Sequence, residues 1–323
     1  MTVGNITANV TNEVKTNYIC LGLQHVEFIM TASAKLTAYF SIFHSLGITA
    51  TALIGNVIIL YTVRSFTDIR NSKNLLFAAM SVTDFLVSIF VLPLNIVIRT
   101  LELSDIHICA VKRTQSFASY LLCGWSLVNV AFISIDRYIA TAYPIQYRIP
   151  SNKRTFIKAL AFVWLVWIII LIPPFSGAVS LSVLNLLSAA LILSWLFIVV
   201  GCYFKIIWIL RFTRKRRQIH QASNRPVVTA RQHSTKSGAK TIFTITAVFI
   251  ICYAPWFISS VVLIVIKASA ESKYIVGRVV ELFLYMNSSL NPFLYCYRNL
   301  RLRSAITTTI GKICRKKVND ASS

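Results

Sequence analysis

Charge is scarce in this sequence, and negative charge scarcest of all. Ten Asp and Glu stand in 323 residues, and charged residues of both signs make up 13%. A soluble domain carries roughly 25%, so the polar shell that keeps such a domain in water is missing. The seven cysteines (Cys20, Cys109, Cys123, Cys202, Cys252, Cys296 and Cys314) form no C-x-x-C pair and no His/Cys cluster with zinc spacing, so neither a disulfide scaffold nor a structural metal centre is supported. Residues 1–18 lack the basic, apolar, small-residue order of a signal peptide, which leaves the first apolar helix as the expected membrane address. No internal repeat is visible, and no polar stretch is long enough for a second folded domain.

Apolar residues are abundant. They reach 56% of the chain, and the mean hydropathy is +0.67, so an integral membrane protein is the leading class. A net charge of +23 would suit nucleic acid, but the basic residues sit in short blocks between long apolar runs rather than on an aromatic-studded polar face. A nucleic-acid partner is therefore excluded. Seven runs reach the roughly 20 apolar residues of a spanning helix: about 36–64, 74–99, 110–140, 155–175, 180–212, 239–267 and 275–297. The expected fold is all-α, a seven-helix transmembrane bundle with a short amphipathic membrane-surface helix after the seventh span. Its divisions are an N-terminal segment 1–35, the bundle 36–297, and a helix and tail 298–323.

An odd span count places the termini on opposite sides. The segments after spans one, three, five and seven hold 25 of the 33 Lys and Arg, and the Lys/Arg-rich side is cytoplasmic. The N-terminus then faces outward. Asn5 and Asn9 each open an N-x-T glycosylation acceptor on that same side. Beyond the last span, Leu300, Leu302, Ile306 and Ile310 have helical spacing with basic residues between them, as in a helix lying on membrane lipid. Cys314, beside Lys312 and Arg315 to Lys317, fits palmitoylation and equally fits a free tail thiol.

Polar residues recur inside the spans, where they are costly and mark functional sites. Asn56 is in the first. Asp84 is the acid deep in the second. Ser126, Asn129 and the Asp136-Arg137-Tyr138 triplet are in the third. Asn287, Ser288, Asn291 and Tyr295 are in the seventh. Pro255 interrupts the sixth and Pro292 the seventh, each removing a backbone donor and freeing a carbonyl. A hydrated, movable seam explains Asp84 better than simple interhelical adhesion does.

With these residues placed, the chain resembles the rhodopsin-like (class A) G-protein-coupled receptors over about 36–315. The resemblance lies in Gly55-Asn56, Asn74-Leu75 through Asp84, Asp136-Arg137-Tyr138 with Pro144, Trp164 with Pro173-Pro174, Tyr203, Phe249, Cys252 and Pro255, and Asn291-Pro292-Phe293-Leu294-Tyr295. It implies a plasma-membrane, multi-pass receptor that binds an extracellular ligand and activates a heterotrimeric G protein as helix six moves outward. Arrestin and a receptor kinase are further implied partners. No enzyme activity and no cofactor follow from it, with Na⁺ as an allosteric ion.

Within this resemblance, Asp136 restrains Arg137 at rest, and Tyr203 and Tyr295 hold it when active. Asp84, Ser126, Asn287, Ser288 and Asn291 match the sodium site. Asn56, Phe249, Tyr253, Pro255 and Pro292 match the activation core. Ser116, Ser119, Tyr120, Cys123, Ser188, Trp256, Phe257, Glu281 and Tyr285 match the ligand pocket, with Glu281 suited to a cationic ligand or to a solvated helix end.

The chain also departs from the family pattern. Lys112 stands where the family bridge cysteine belongs, so the family bridge cannot form; Cys20 and Cys109, both on the outer side, offer a substitute pairing. Trp195 replaces the helix-five proline, Tyr253 the helix-six tryptophan, and Thr235 an acid that restrains Arg137, which implies raised basal signalling. Ser119 stands in place of the aminergic aspartate. An amine-like, peptide or lipid ligand therefore stays open. The alternatives are a receptor-fold membrane protein without G-protein signalling, or a transporter or channel.

Overall fold

A computed structural model describes residues 30–66, 72–106, 108–148, 150–176, 181–221, 230–298 and 302–311, with strands at 18–20 and 23–25. Along parts of the fifth and sixth helices only the backbone is described. Seven long helices make the bundle: α1 (Ala32–Ser65), α2 (Ser72–Leu86 and Leu92–Leu103, joined by a π-helical turn Val87–Val91), α3 (Cys109–Ala142), α4 (Pro150–Ser176), α5 (Leu181–Gln221), α6 (Ala230–Val265) and α7 (Ala270–Arg298). An eighth, α8, covers 302–311. Ahead of them β1 (Tyr18–Cys20) and β2 (Leu23–His25) pair antiparallel, Ile19 opposite Gln24. This small hairpin was not foreseen in the N-terminal segment.

The helices pack in sequence around a ring, with α7 returning to α1, and α3 runs through the centre against α2, α4, α5 and α6. Every helix is longer than its apolar run, although α6 stops at Val265, two residues short of the end of its run. Among the described residues, five helices are long and apolar enough to cross a membrane on composition alone, and Ala247–Leu263 is a shorter sixth stretch. The seventh helix does not qualify. Its second half carries Asn287, Ser288, Ser289 and Asn291, and its first half carries Lys273, Arg278 and Glu281. These groups are tolerated because α7 faces protein and not lipid along this line: Asn287, Ser288, Ser289 and Asn291 are all buried.

Local chemistry shapes individual helices. Pro93 cannot donate to a carbonyl one turn back. The π turn just before it absorbs the mismatch, with Leu92 N–H reaching Val87 O five residues away. Thr31 caps α1, its hydroxyl accepting from Ala34 N–H at 3.2 Å. The Thr31 and Ser33 hydroxyls also donate to Glu271 in the first turn of α7, tying the two helix starts together and holding that carboxyl below the usual carboxylate range.

α8 is amphipathic, as expected of the helix after the seventh span, and one of its faces rests on the bundle. Leu302, Ala305, Ile306 and Thr309 are buried, and Leu302, Ala305 and Ile306 join the central core with Ile59, Phe77 and Tyr295. Thr62 on α1 donates to Thr309 at 3.2 Å. Ile310, expected on the apolar face, is 42% exposed, one position past the buried stripe. Leu300 lies outside the described residues.

Two glycines permit close helix approaches. A Cβ at Gly55 would lie 2.8 Å from the ring carbons of Pro292, and one at Gly124 would overlap the Trp167 indole, whose Nε1–H is fixed on Tyr120 O at 3.1 Å. Gly201 has open space around the corresponding position. Gly55→Ala and Gly124→Ala are therefore each expected to destabilise the detergent-solubilised protein by about 1–3 kcal/mol, as overpacking does. Gly201→Ala should be neutral or slightly stabilising. Thermal unfolding of the three variants checks this, and equal midpoints would contradict it.

Candidate functional site

Three polar places lie along the bundle, linked by α3 and α6. At one end of α3, Arg137 Nε donates to Asp136 Oδ2 at 2.8 Å and Nη2 donates to the same carboxylate. Tyr147 closes a ring around this pair: its hydroxyl accepts from Arg137 Nη2 and donates to Asp136 Oδ1, both at 2.9 Å, and its ring lies 5.8 Å from the guanidinium carbon. Asp136 is 3% exposed, so a complete hydrogen-bond set is what makes its burial tolerable.

Tyr147 sits in a 3₁₀ turn, Gln146–Arg148, after Pro144. Only the shortness of this loop and the polar tip of its tyrosine signalled the contact in the sequence. Tyr138 packs edge-on to Tyr143. Tyr203 is half-buried on α5. Tyr295 is fully buried, stacked on Phe77 at 4.4 Å, and its hydroxyl has no hydrogen-bond partner. In this arrangement Arg137 is held by Asp136 and Tyr147, and the Tyr295 hydroxyl stays uncommitted.

The central seam is buried and polar. Asp84 is fully buried, and Oδ2 accepts from Asn291 Nδ2 at 2.8 Å. Ser126 and Ser288 face the same carboxyl, yet Oδ1 has no hydrogen-bond partner. The side-chain oxygens of Asn56, Asn129 and Asn291 are likewise unpartnered. Buried polar atoms almost always have partners, and these four acceptors have none among the described residues. Asn287, the remaining expected member, is buried on α7.

Pro292 explains how α1 joins the seam. It withholds the N–H that Ser288 O would otherwise accept, and Asn56 Nδ2 donates there at 3.1 Å as well as to Ala52 O at 2.8 Å.

At the other end α3 to α7 enclose a cavity of about 260 Å³. Of the residues expected to line it, Ser116, Ser119, Tyr120, Cys123, Trp256, Glu281 and Tyr285 do. Phe257 does not, because the turn of α6 that presents Trp256 carries the next residue away from the cavity. The Ser188 side chain lies outside the described residues. Gln115, Trp167, Phe175, Leu191, Trp195 and Tyr253 line the cavity too and were not foreseen in that role. Gln115 donates to the Tyr285 hydroxyl at 2.9 Å, and Ser119 lies 3.1 Å from that hydroxyl.

Glu281 is partly exposed on the cavity wall and is ion-paired. Arg278 Nη1 donates to both its oxygens at 2.9 and 3.0 Å, and Arg99 Nη2 reaches it at 3.3 Å. At the cavity floor, the Tyr253 hydroxyl donates to Cys123 O at 3.0 Å, and its ring stacks on Phe249 at 3.9 Å. This bond pins α6 to α3 two residues before Pro255.

Cys109 is disulfide-bonded, while Cys123, Cys202, Cys252 and Cys296 are free. The Cys20 side chain, Cys314, Asn5 and Asn9 lie outside the described residues.

Comparison with known proteins agrees with this layout. The family described as 7 transmembrane receptor (rhodopsin family) matches residues 55–295. Similar proteins include trace amine-associated receptor 7d of Mus musculus, 26% identical over 82% of this chain and 80% of the relative. Neuromedin-U receptor 2 of Rattus norvegicus is 22% identical over 81% and 73% respectively. These relatives are receptors, not enzymes. Because the match begins beside Asn56, ends on Tyr295 and so takes in the whole polar seam, the chain belongs to the rhodopsin family of seven-transmembrane receptors, the class A G-protein-coupled receptors.

Proposed function

We propose that this receptor sits in the plasma membrane with its N-terminus outside, takes a ligand in the 260 Å³ cavity, and activates a heterotrimeric G protein when α6 moves away from α3. The observation that carries the reading is the closed Asp136–Arg137–Tyr147 ring at the far end of the helix that forms the cavity wall. A charge-paired arginine that exchanges one partner set for another is a two-state element. Asp136 and Tyr147 hold it in one state. Tyr203 and Tyr295 would hold it in the other, and the Tyr295 hydroxyl, unpartnered here, supports that reading. The Tyr253–Cys123 bond transmits the state of the cavity, since both residues line it and the bond spans α6 and α3. Arrestin and a receptor kinase would read the same cytoplasmic face.

The seam fits Na⁺. Asp84, with Asn291, Asn129 and the hydroxyls of Ser126 and Ser288, offers oxygen donors and a net negative charge, while Asp84 Oδ1, Asn129 Oδ1 and Asn291 Oδ1 lack partners. The bound ion would supply the missing positive charge and favour the closed state. Cys20 is the proposed partner of Cys109, the four described alternatives being free and Cys314 belonging to the opposite face.

GDP release from purified G proteins by the receptor in lipid nanodiscs tests the reading. Arg137→Gln should reduce release to the level of receptor-free controls with folding intact. Tyr147→Phe, losing its bonds to both Arg137 and Asp136, and Tyr253→Phe, losing its bond to Cys123 O, each give up restraint worth about 1–3 kcal/mol and should raise ligand-free release roughly tenfold or more. Unchanged release by Arg137→Gln would sink the proposal. Replacing potassium by sodium should lower ligand-free release in the parent protein and leave Asp84→Asn unaffected; equal sodium sensitivity in both would remove the ion from the account. Non-reducing peptide mapping should recover Cys20 and Cys109 in one linked fragment, and a free Cys20 thiol would refute that pairing.

A further inference from the structure

We infer that the cavity selects an uncharged molecule, an apolar body carrying one hydroxyl or amide group, with that group seated on Gln115, Ser119 and Tyr285. This rests on the cavity being the ligand site. Charge finds no dock there. Glu281 is the one charged residue among those lining the cavity, and both its oxygens are engaged: Arg278 Nη1 donates to each, and Arg99 Nη2 reaches Oε2 at 3.3 Å. Glu102 and Lys112 belong to the same cluster, so three cations stand against two carboxylates. An ammonium at Glu281 would add a fourth cation and compete with guanidiniums already in place. A carboxylate fares no better, because Arg99, Lys112 and Arg278 do not line the cavity. A charged head stripped of water is repaid only by an unmatched opposite charge, and the lining offers none.

The polar group that does line the cavity is neutral and incompletely bonded. Gln115 is 5% exposed. Its amide N–H groups donate to Ser119 Oγ at 3.2 Å and to the Tyr285 hydroxyl at 2.9 Å. The Ser119 and Tyr285 hydroxyls lie 3.1 Å apart, so one of them donates to the other. Among the described residues this leaves one hydroxyl hydrogen without an acceptor and the Gln115 amide oxygen without a donor. The cavity thus presents one donor and one acceptor side by side. A ligand hydroxyl or amide both accepts and donates and completes the set. An ammonium can only donate, and a carboxylate can only accept.

Other polar atoms of the lining are committed within the fold. The Tyr253 hydroxyl is spent on Cys123 O, and Trp167 Nε1–H on Tyr120 O. With Phe175, Leu191 and Trp195, these rings leave an apolar surface for an aromatic or aliphatic body. The volume, about 260 Å³, falls just below the roughly 300–1,000 Å³ of drug-sized sites, which calls for a small one.

The test uses the full chain in nanodiscs without G protein. Saturation-transfer NMR titrations compare 4-phenylbutan-1-ol, 4-phenylbutylamine and 4-phenylbutyrate, three probes with one body and different heads, and empty nanodiscs correct for partition into lipid. The alcohol is expected to bind saturably and at least tenfold more tightly than the amine and the carboxylate. Gln115→Leu and Gln115→Met, which remove the acceptor with an apolar side chain of similar size, should each weaken the alcohol tenfold or more. Gln115→Glu places an unmatched acid in the cavity and should turn the preference to the amine. Thermal unfolding confirms that each variant is folded, and the three substitutions keep the test open if one of them is not.

Amine or carboxylate binding in the parent protein as tight as the alcohol, no saturable alcohol response, or folded Gln115→Leu and Gln115→Met variants with parental affinity would each overturn the inference. So would a folded Gln115→Glu variant that still prefers the alcohol. Coupling is measured separately. A receptor that binds the alcohol but releases no GDP from G proteins would defeat the proposed function and leave this assignment standing.

Discussion

A missing backbone donor at Pro292 organises the middle of this protein. In hydrocarbon there is no water to satisfy the carbonyl that the proline leaves bare, so another part of the chain must do so. Asn56 meets that need by donating to Ser288 O, and it reaches because Gly55 lets α1 rest on the proline ring itself. The same kinked turn carries Asn291, whose amide reaches Asp84. One lost hydrogen bond thus fixes the approach of α1 to α7 and the link between α7 and α2. Interhelical contacts of this kind are worth about 0.6 kcal/mol on average, so their effect lies in fixing register as much as in stability.

The seam left by this arrangement is under-satisfied among the described residues. A fully paired polar network is rigid, whereas one with four unmet acceptors changes energy when a cation, a water or a neighbouring hydroxyl arrives. Tyr295 lies at the lower edge of the same region, packed on Phe77 but with its hydroxyl free. Tyr253 lies at the upper edge, its hydroxyl spent on Cys123 O. Movement of α6 would break the second and leave the first available to a new partner. Coupling between the ends of the bundle then needs no long wire, only one helix interface with two arrangements that both sites bias.

Much of this is legible in the amino-acid sequence alone. Seven helices followed from apolar length, and the seam residues followed from polar groups where polar groups are costly. The misses share a physical cause: they depend on partners that the linear order does not reveal. Tyr147 is ten residues from Arg137, and a 3₁₀ turn brings it back. Glu281 reads as a free acid until α2 delivers Arg99 beside it. Phe257 fails by the phase of a single helical step. For α8 periodicity did identify the apolar face, and the bundle core packs against it at Leu302 and Ile306. The N-terminal hairpin left no alternating apolar pattern by which to be found.

The buried arginine of α2 completes the picture. Burying charges normally costs more than their pairing returns, and apolar replacements of similar volume are often as stable. Arg99 is nevertheless 1% exposed and bonded to Asn95, Glu102 and Glu281. What the charges add is definition: guanidinium geometry fixes α2 against α7 in one orientation, and Lys112 brings α3 to the same cluster. An apolar plug would hold those helices as firmly but would leave the end of the cavity indifferent to the charge of what enters. Because Glu281 belongs both to this cluster and to the cavity wall, any ligand group that displaces it must rearrange bonds on α2 and α7 together. The cluster that closes the bundle at this end is therefore also the part of the cavity best placed to sense ligand charge.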